Sequence, residues 1–83
     1  MSNRIKCDTI GHRKGLIEIT PGIHGKCINV ETWSIHPDID LSKRDIRDAN
    51  FPDEGVTGNT EIELTAEQAR SLIKMLQSAL AET

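Results

Sequence analysis

The side chains best suited to chemistry are two cysteines and two histidines near the start of the chain. Cys7, His12, His24 and Cys27 are spaced C-x4-H-x11-H-x2-C, with His36 as a spare ligand. Thiolate sulfur and imidazole nitrogen are typical ligands of tetrahedral zinc, so a small zinc-binding regulator is one alternative function. Only His24 and Cys27 have the spacing of a zinc knuckle. We therefore expect histidines in turns and cysteines in the core, with no bound metal or other cofactor.

The sequence does not indicate a catalytic centre. Nucleophilic catalysis needs a cysteine or serine beside a positioned histidine and an orienting acid. Cys27 and His24 could form such a nucleophile–base pair, but a pair of this kind can be proposed in any chain with two cysteines and three histidines. Gly22-Ile23-His24-Gly25 is not followed by the Lys-Ser/Thr pair and helix of a phosphate-binding loop. We predict that the protein is not an enzyme.

Acidic residues are concentrated between positions 36 and 59. Asp38-Ile39-Asp40-Leu41-Ser42 opens like a calcium loop, but Lys43 stands where the loop needs glycine and Ala49 where it needs a bidentate acid. We interpret the segment as a solvated acidic connection that could dock on a basic protein partner. Its partner-binding candidates are Asp45, Asp48, Asp53 and Glu54.

Trp33 is the single tryptophan of a chain that has no tyrosine. A tryptophan combines a large apolar ring with a polar N–H, so it suits the edge of a core or the centre of an interface. Trp33 is therefore either a cap on the core or an exposed anchor on an uncovered sheet face. We keep it as a fifth partner-binding candidate.

The net charge of −3 is unevenly distributed along the chain. Residues 1–30 carry five basic and two acidic side chains, whereas residues 31–83 carry five basic and eleven acidic ones. Proteins that bind nucleic acid usually present a dense basic surface, and here the basic half is thin. We therefore do not expect nucleic acid as a partner, although a nucleic-acid-associated protein remains an alternative function.

Membrane insertion and export are not expected. No apolar run approaches the 18 residues of a membrane span. Met1–Arg4 leads straight into strand-like sequence rather than an export signal. Two cysteines without such a signal are typical of reduced thiols, so we expect a cytoplasmic protein.

The C-terminal residues predict an amphipathic helix over 66–81. Thr65 and Gln68 have the spacing of a capping box, in which each side chain bonds the other residue's backbone N–H. Apolar residues then recur at helical spacing on one face; they are Ala69, Leu72, Ile73, Leu76, Ala79 and Leu80. We expect this stripe to pack on a sheet.

Period-two alternation predicts strands over 4–9, 16–20, 26–35 and 60–64. In the second strand Ile17 and Ile19 are expected to point inward and Leu16 outward. The third strand carries apolar residues on both faces, which suggests a bulge or a strand covered on both sides. Ser42, with Asp45 three residues on, suggests a short helix near 43–50.

These elements predict a single α+β domain: an antiparallel sheet of about four strands packed against one C-terminal helix. Its parts are a β-meander over 4–35, the acidic connection over 36–59, a strand over 60–64 and the helix over 66–81. A chain of 83 residues builds a thin core, and one helix covers only one face of a sheet. We therefore expect a homodimer.

The segment 61–72, Glu-Ile-Glu-Leu-Thr-Ala-Glu-Gln-Ala-Arg-Ser-Leu, resembles the ending of small proteins encoded by phages, prophages and bacterial mobile elements. In these proteins a charged strand ends in Leu-Thr, and Glu-Gln-Ala then opens an amphipathic helix. The resemblance implies a small intracellular accessory protein that acts by binding, and it carries over no functional residues. We predict a non-enzymatic protein-binding module, either a phage-type accessory protein or an inhibitor of a host system.

Overall fold

The computed structural model describes residues 3–22 and 24–83. It confirms the α+β class: a four-stranded antiparallel sheet is followed by one helix. Each strand pairs with the next along the chain, in the order β1-β2-β3-β4. The elements are β1 (Arg4–Cys7), β2 (Lys14–Pro21), β3 (Ile28–Ile35), β4 (Val56–Leu64) and α1 (Ala66–Ala81).

Helix α1 has the predicted bounds and the predicted capping box. The Thr65 hydroxyl accepts the Gln68 backbone N–H (3.2 Å), and the Gln68 side-chain oxygen accepts the Thr65 N–H (2.9 Å). Strand β4 begins at Val56, four residues before the predicted Thr60, because it pairs along the whole of β3. A register shift between Ser34 and Ile35 marks an irregularity in this pairing.

The helix does not pack on the sheet, and this part of the prediction is wrong. None of its residues is buried, and its contacts with the sheet are chiefly with β4, the strand it follows. Thr65 is the single residue between strand and helix, and its backbone is extended (φ −71°, ψ 167°). One extended residue does not reverse the chain, so the helix leads away from the sheet.

The acidic connection covers the sheet in place of the helix. Leu41 lies against Leu16 and Ile35 in the core, and partly buried side chains surround these three: Trp33, Ile39, Ile46, Phe51 and Val56. The prediction that Ile17 and Ile19 point inward and Leu16 outward is therefore wrong. Leu16 is buried and the two isoleucines are only half-buried, because apolar residues of the connection lie over the opposite face.

The short helix predicted near residues 43–50 is also absent, and turns take its place. The Asp48 carboxylate accepts the backbone N–H of Asp45 (3.0 Å), and the Asp45 carboxylate accepts that of Arg47 (2.9 Å). Aspartate side chains that bond nearby N–H groups offer the backbone an alternative to a helix. A 3-10 turn follows at Asp53–Gly55.

Candidate functional site: the open face of the sheet

One face of the sheet is aliphatic over the half that adjoins the β2–β3 turn, and no other described element covers it. The register places the hydroxyl side chains of Thr32, Ser34 and Thr60 on the other half of the same face. Directly opposed residues of antiparallel strands project from the same face, and the pairing places Val30 between Ile19 and Ile62. Ile5 and Ile62, on the two edge strands, are 58% and 61% exposed. We call this surface the open face; it consists of Ile5, Ile17, Ile19, Ile28, Val30, Ile62 and Leu64.

Two shallow depressions lie at opposite ends of the open face. The first, about 360 Å³, is lined mainly by Ile5, Ile19, Pro21 and Ile28. The second, about 450 Å³, includes Gly15 and the turn residues 12–14. A Cβ at position 15 would lie 2.0 Å from the Trp33 carbonyl oxygen, so only glycine fits there. The first depression can thus receive an apolar side chain, whereas His12, Arg13 and Lys14 border the second.

A second exposed apolar surface runs along helix α1. Its large side chains Leu72, Ile73, Met75, Leu76 and Leu80 are all exposed, and Leu76 and Leu80 reach 57% and 73%. We call Leu72, Ile73, Leu76 and Leu80 the helix stripe. A surface helix normally buries such a stripe against a core. This helix presents it to solvent.

The dimensions of the chain show the same separation of helix and sheet. The radius of gyration is 14.4 Å, whereas a compact domain of this length has roughly 12 Å. The chain is therefore more extended than one whose helix lies on its own sheet. Two apolar surfaces, the open face and the helix stripe, stay apart within one molecule.

The covered face, by contrast, contains a network of paired charges. Arg4 donates from Nε and Nη2 to one oxygen of Glu18 (2.9 and 2.6 Å) and from Nη1 to Asp45 (2.9 Å). Arg47 donates to the same Glu18 oxygen (2.6 Å). Glu18 is buried, and its hydrogen bond raises the pKa of Arg4. These bonds attach the acidic connection to β1 and β2.

The start of the acidic connection is held in the same way. Lys6 Nζ donates to the Leu41 carbonyl oxygen (2.9 Å). The Asp40 carboxylate accepts the hydroxyl and the backbone N–H of Ser42 (2.6 and 3.0 Å). These bonds, with the hydroxyl first, lower the pKa of Asp40. A carboxylate of the calcium-like sequence thus stabilises a turn.

The four candidate metal ligands lie at two different ends of the sheet. Cys7 pairs with Gly15 beside the turn that carries His12, whereas His24 and Cys27 lie in the turn between β2 and β3. An eight-residue strand such as β2 is roughly 27 Å long, so the two pairs do not meet. Over residues 3–22 and 24–83, no three Cys, His, Asp or Glu side chains are placed to hold a metal ion.

The two thiols are also less buried than the sequence predicted. Cys7 is exposed and Cys27 is half-buried, because both lie at strand ends rather than in the core. The His24 ring is paired with the Glu63 carboxylate at the end of β4. The ring nitrogen of His36 accepts the backbone N–H of Asp38 (3.1 Å).

The partner-binding candidates have different surroundings. Asp45 is bound to the backbone N–H of Arg47 and to Arg4, and these contacts lower its pKa. Asp48 holds a turn, whereas Asp53 and Glu54 are exposed. Trp33 lies half-buried against the core, on the covered face, which supports its interpretation as a cap on the core.

The alternation in β2 predicted that Ile17 and Ile19 point into the core, whereas the structure places them on the open face. The signal that could have corrected this is the set of apolar residues inside the acidic connection, above all Leu41, Ile46 and Phe51. A solvated loop does not need them. Their presence indicates that the connection covers one face and leaves the other open.

Comparisons with known proteins add no relative. No family model matches the sequence, and no curated protein or solved structure shows significant similarity to it. No helix in the described part of the chain is both long and apolar enough to cross a membrane.

Proposed function

We propose that the chain is a small, non-enzymatic protein-binding module of the cytoplasm whose contact surface is the open face. The observation that carries this proposal is the exposure of an aliphatic sheet face in a chain whose charged face is covered. The resemblance to phage-type accessory proteins agrees with a protein that acts by binding. A phage-type accessory protein and an inhibitor of a host system are the two forms of that activity that we propose.

The size of the open face supports a binding role. Four strands at about 4.8 Å spacing, with the longest apolar row, from Ile17 to Pro21, running for about 14 Å, give a patch on the order of 300 Å². Patches of this size on monomers are commonly functional, because exposing them to water is unfavourable. The open face also carries no charged side chain among its described residues, so it suits an apolar partner surface.

The proposal is tested by a single charge on the open face. The full chain is immobilised, and proteins that it retains from a cell extract are identified by mass spectrometry. Ile62→Glu should abolish retention, because a buried unpaired carboxylate is costly at an interface. Circular dichroism should show an intact sheet, since Ile62 is largely exposed. Ala49→Glu, on the exposed connection, is the matched control with the same added charge.

The acidic connection is the competing surface, and two exposed positions test it. Asp53→Lys and Glu54→Lys reverse charges that lie outside the Arg4 network. Retention by this double variant should equal that of the wild type. Unchanged retention by Ile62→Glu, together with loss in the Asp53/Glu54 variant, would move the binding site to the acidic connection.

A further inference from the structure

We propose that the partner on the open face is a second copy of this chain, and that two copies exchange their C-terminal helices. The helix stripe of each copy lies on the open face of the other. This inference rests on the proposed function, since it names the partner for the same surface. Two observations in one molecule carry it: an unpartnered aliphatic sheet face and an unpartnered aliphatic helix.

The helix stripe and the open face are both aliphatic, and the helix is no longer than the sheet. A helix of 16 residues is about 24 Å long, and strands of eight or nine residues span roughly 27–30 Å. The stripe contributes Leu72, Ile73, Leu76 and Leu80 against the aliphatic half of the face, which has an apolar recess beside Ile28. The charged side chains of α1, such as Glu67 and Lys74, lie outside the stripe.

The connection between strand and helix prevents the helix from covering its own sheet. Thr65 is extended, and both of its capping hydrogen bonds depend on that conformation. Connections that turn a chain from a strand back over its sheet usually need two to six residues. The helix of another copy has no such tether, and short hinges of this kind favour exchange between identical chains.

The helix also needs a surface on which to pack. An isolated helix of this length is marginal in water, because helices derive most of their stability from packing an amphipathic face. Within one chain α1 buries no residue. Exchange supplies the missing contact without a change in the described sheet or connection.

The area of a reciprocal exchange reaches that of a small specific interface. Each helix footprint is about 24 by 10 Å, or about 240 Å² on each of the two contacting surfaces. Two footprints therefore remove on the order of 1,000 Å² of accessible surface, near the minimum for a specific interface. A single helix on a single face would bury about half of that. The two-fold exchange is therefore the arrangement that the surfaces favour.

Light scattering of the full-length protein at micromolar concentration tests the exchange. The wild type should give about twice the chain mass of 9.2 kDa. Leu76→Glu on the stripe and Ile62→Glu on the open face should each give the monomer mass. Gln77→Glu, on the same helix but outside the stripe, should remain dimeric and serves as the matched control.

A mixing experiment distinguishes exchange from other dimers. Combining the Leu76→Glu and Ile62→Glu chains leaves one intact helix and one intact face, so the mixture should partly recover the dimer. A dimer that Leu76→Glu leaves intact would be face to face, and one that Ile62→Glu leaves intact would be helix to helix. Either result overturns the exchange.

The failure of this inference can be separated from failure of the proposed function. A monomeric wild type that retains another protein in an Ile62-dependent manner overturns the exchange and leaves the binding module standing. A monomeric wild type with no Ile62-dependent retention overturns both. A dimer sensitive to both substitutions supports both.

Discussion

The covered face and the open face of the sheet are built from different residue types. The covered face includes the buried polar residues Glu18 and Asn29 beside Leu16 and Ile35, whereas the open face is aliphatic. The more apolar face is not the one that is buried within the chain. The other face is buried because the acidic connection packs on it and supplies both apolar side chains and the charged partners that a buried carboxylate requires. The more apolar face is left for another molecule.

The largest effect that separates the two faces is expected from core truncation. Leu41→Ala should reduce the free energy of unfolding by about 2–5 kcal/mol, since Leu41 is 1% exposed and its loss leaves a cavity. Ile62→Ala on the open face should cost less than about 0.5 kcal/mol in the monomeric chain. Urea denaturation at low protein concentration measures both. Equal costs would show that the open face is covered in the monomer.

An intermediate effect is expected from the charge network of the covered face. Glu18→Gln should destabilise the fold by about 1–3 kcal/mol, because hydrogen bonds to a buried charged group are stronger than neutral ones. The Glu18 side chain is 11% exposed and receives both Arg4 and Arg47. Glu54→Gln, at an exposed position, should be silent in the same thermal melts. If the two variants melt alike, the network contributes nothing to stability.

The smallest effect concerns the residue that joins the open face to the helix. Thr65→Ala should destabilise the helix by about 0.5–2 kcal/mol through loss of the bond to the Gln68 N–H. Thr65→Ser keeps the hydroxyl and should be nearly silent. The rate of hydrogen exchange at the Gln68 backbone amide measures the loss of this bond directly. Equal exchange rates in the two variants would remove the capping box as the determinant of the helix start.

The parts of the fold that were predicted from sequence depend on local signals. The bounds of α1 follow from the Thr65–Gln68 capping box and from the spacing of apolar residues. Each of these signals involves residues that are three or four positions apart in the sequence. Strand alternation likewise indicated that Ile17 and Ile19 share a face. Because these signals do not depend on tertiary packing, the four strands and the helix could be identified in advance.

The parts that were not predicted depend on distant contacts. Which face of β2 is buried is decided by the connection, through contacts such as Lys6 with Leu41 and Arg4 with Asp45, and alternation alone cannot report them. The Ser42–Asp45 spacing suggested a helix because capping aspartates and turn aspartates look alike in sequence. The open face could not be predicted for the same reason. Isoleucines alternate along a strand in the same way whether their face is covered by the same chain or by another molecule.

The order of strand pairing has a consequence for the rate at which the sheet assembles. Strands β1, β2 and β3 are joined by short turns, whereas the connection 36–55 separates β3 from β4. Closing a loop costs entropy that grows slowly with its length, and local pairings form earliest. We expect the first three strands to form the folding nucleus and β4 to join them when the connection closes over Leu16. The helix would then be the last element to acquire its final contacts, in a step whose rate depends on protein concentration.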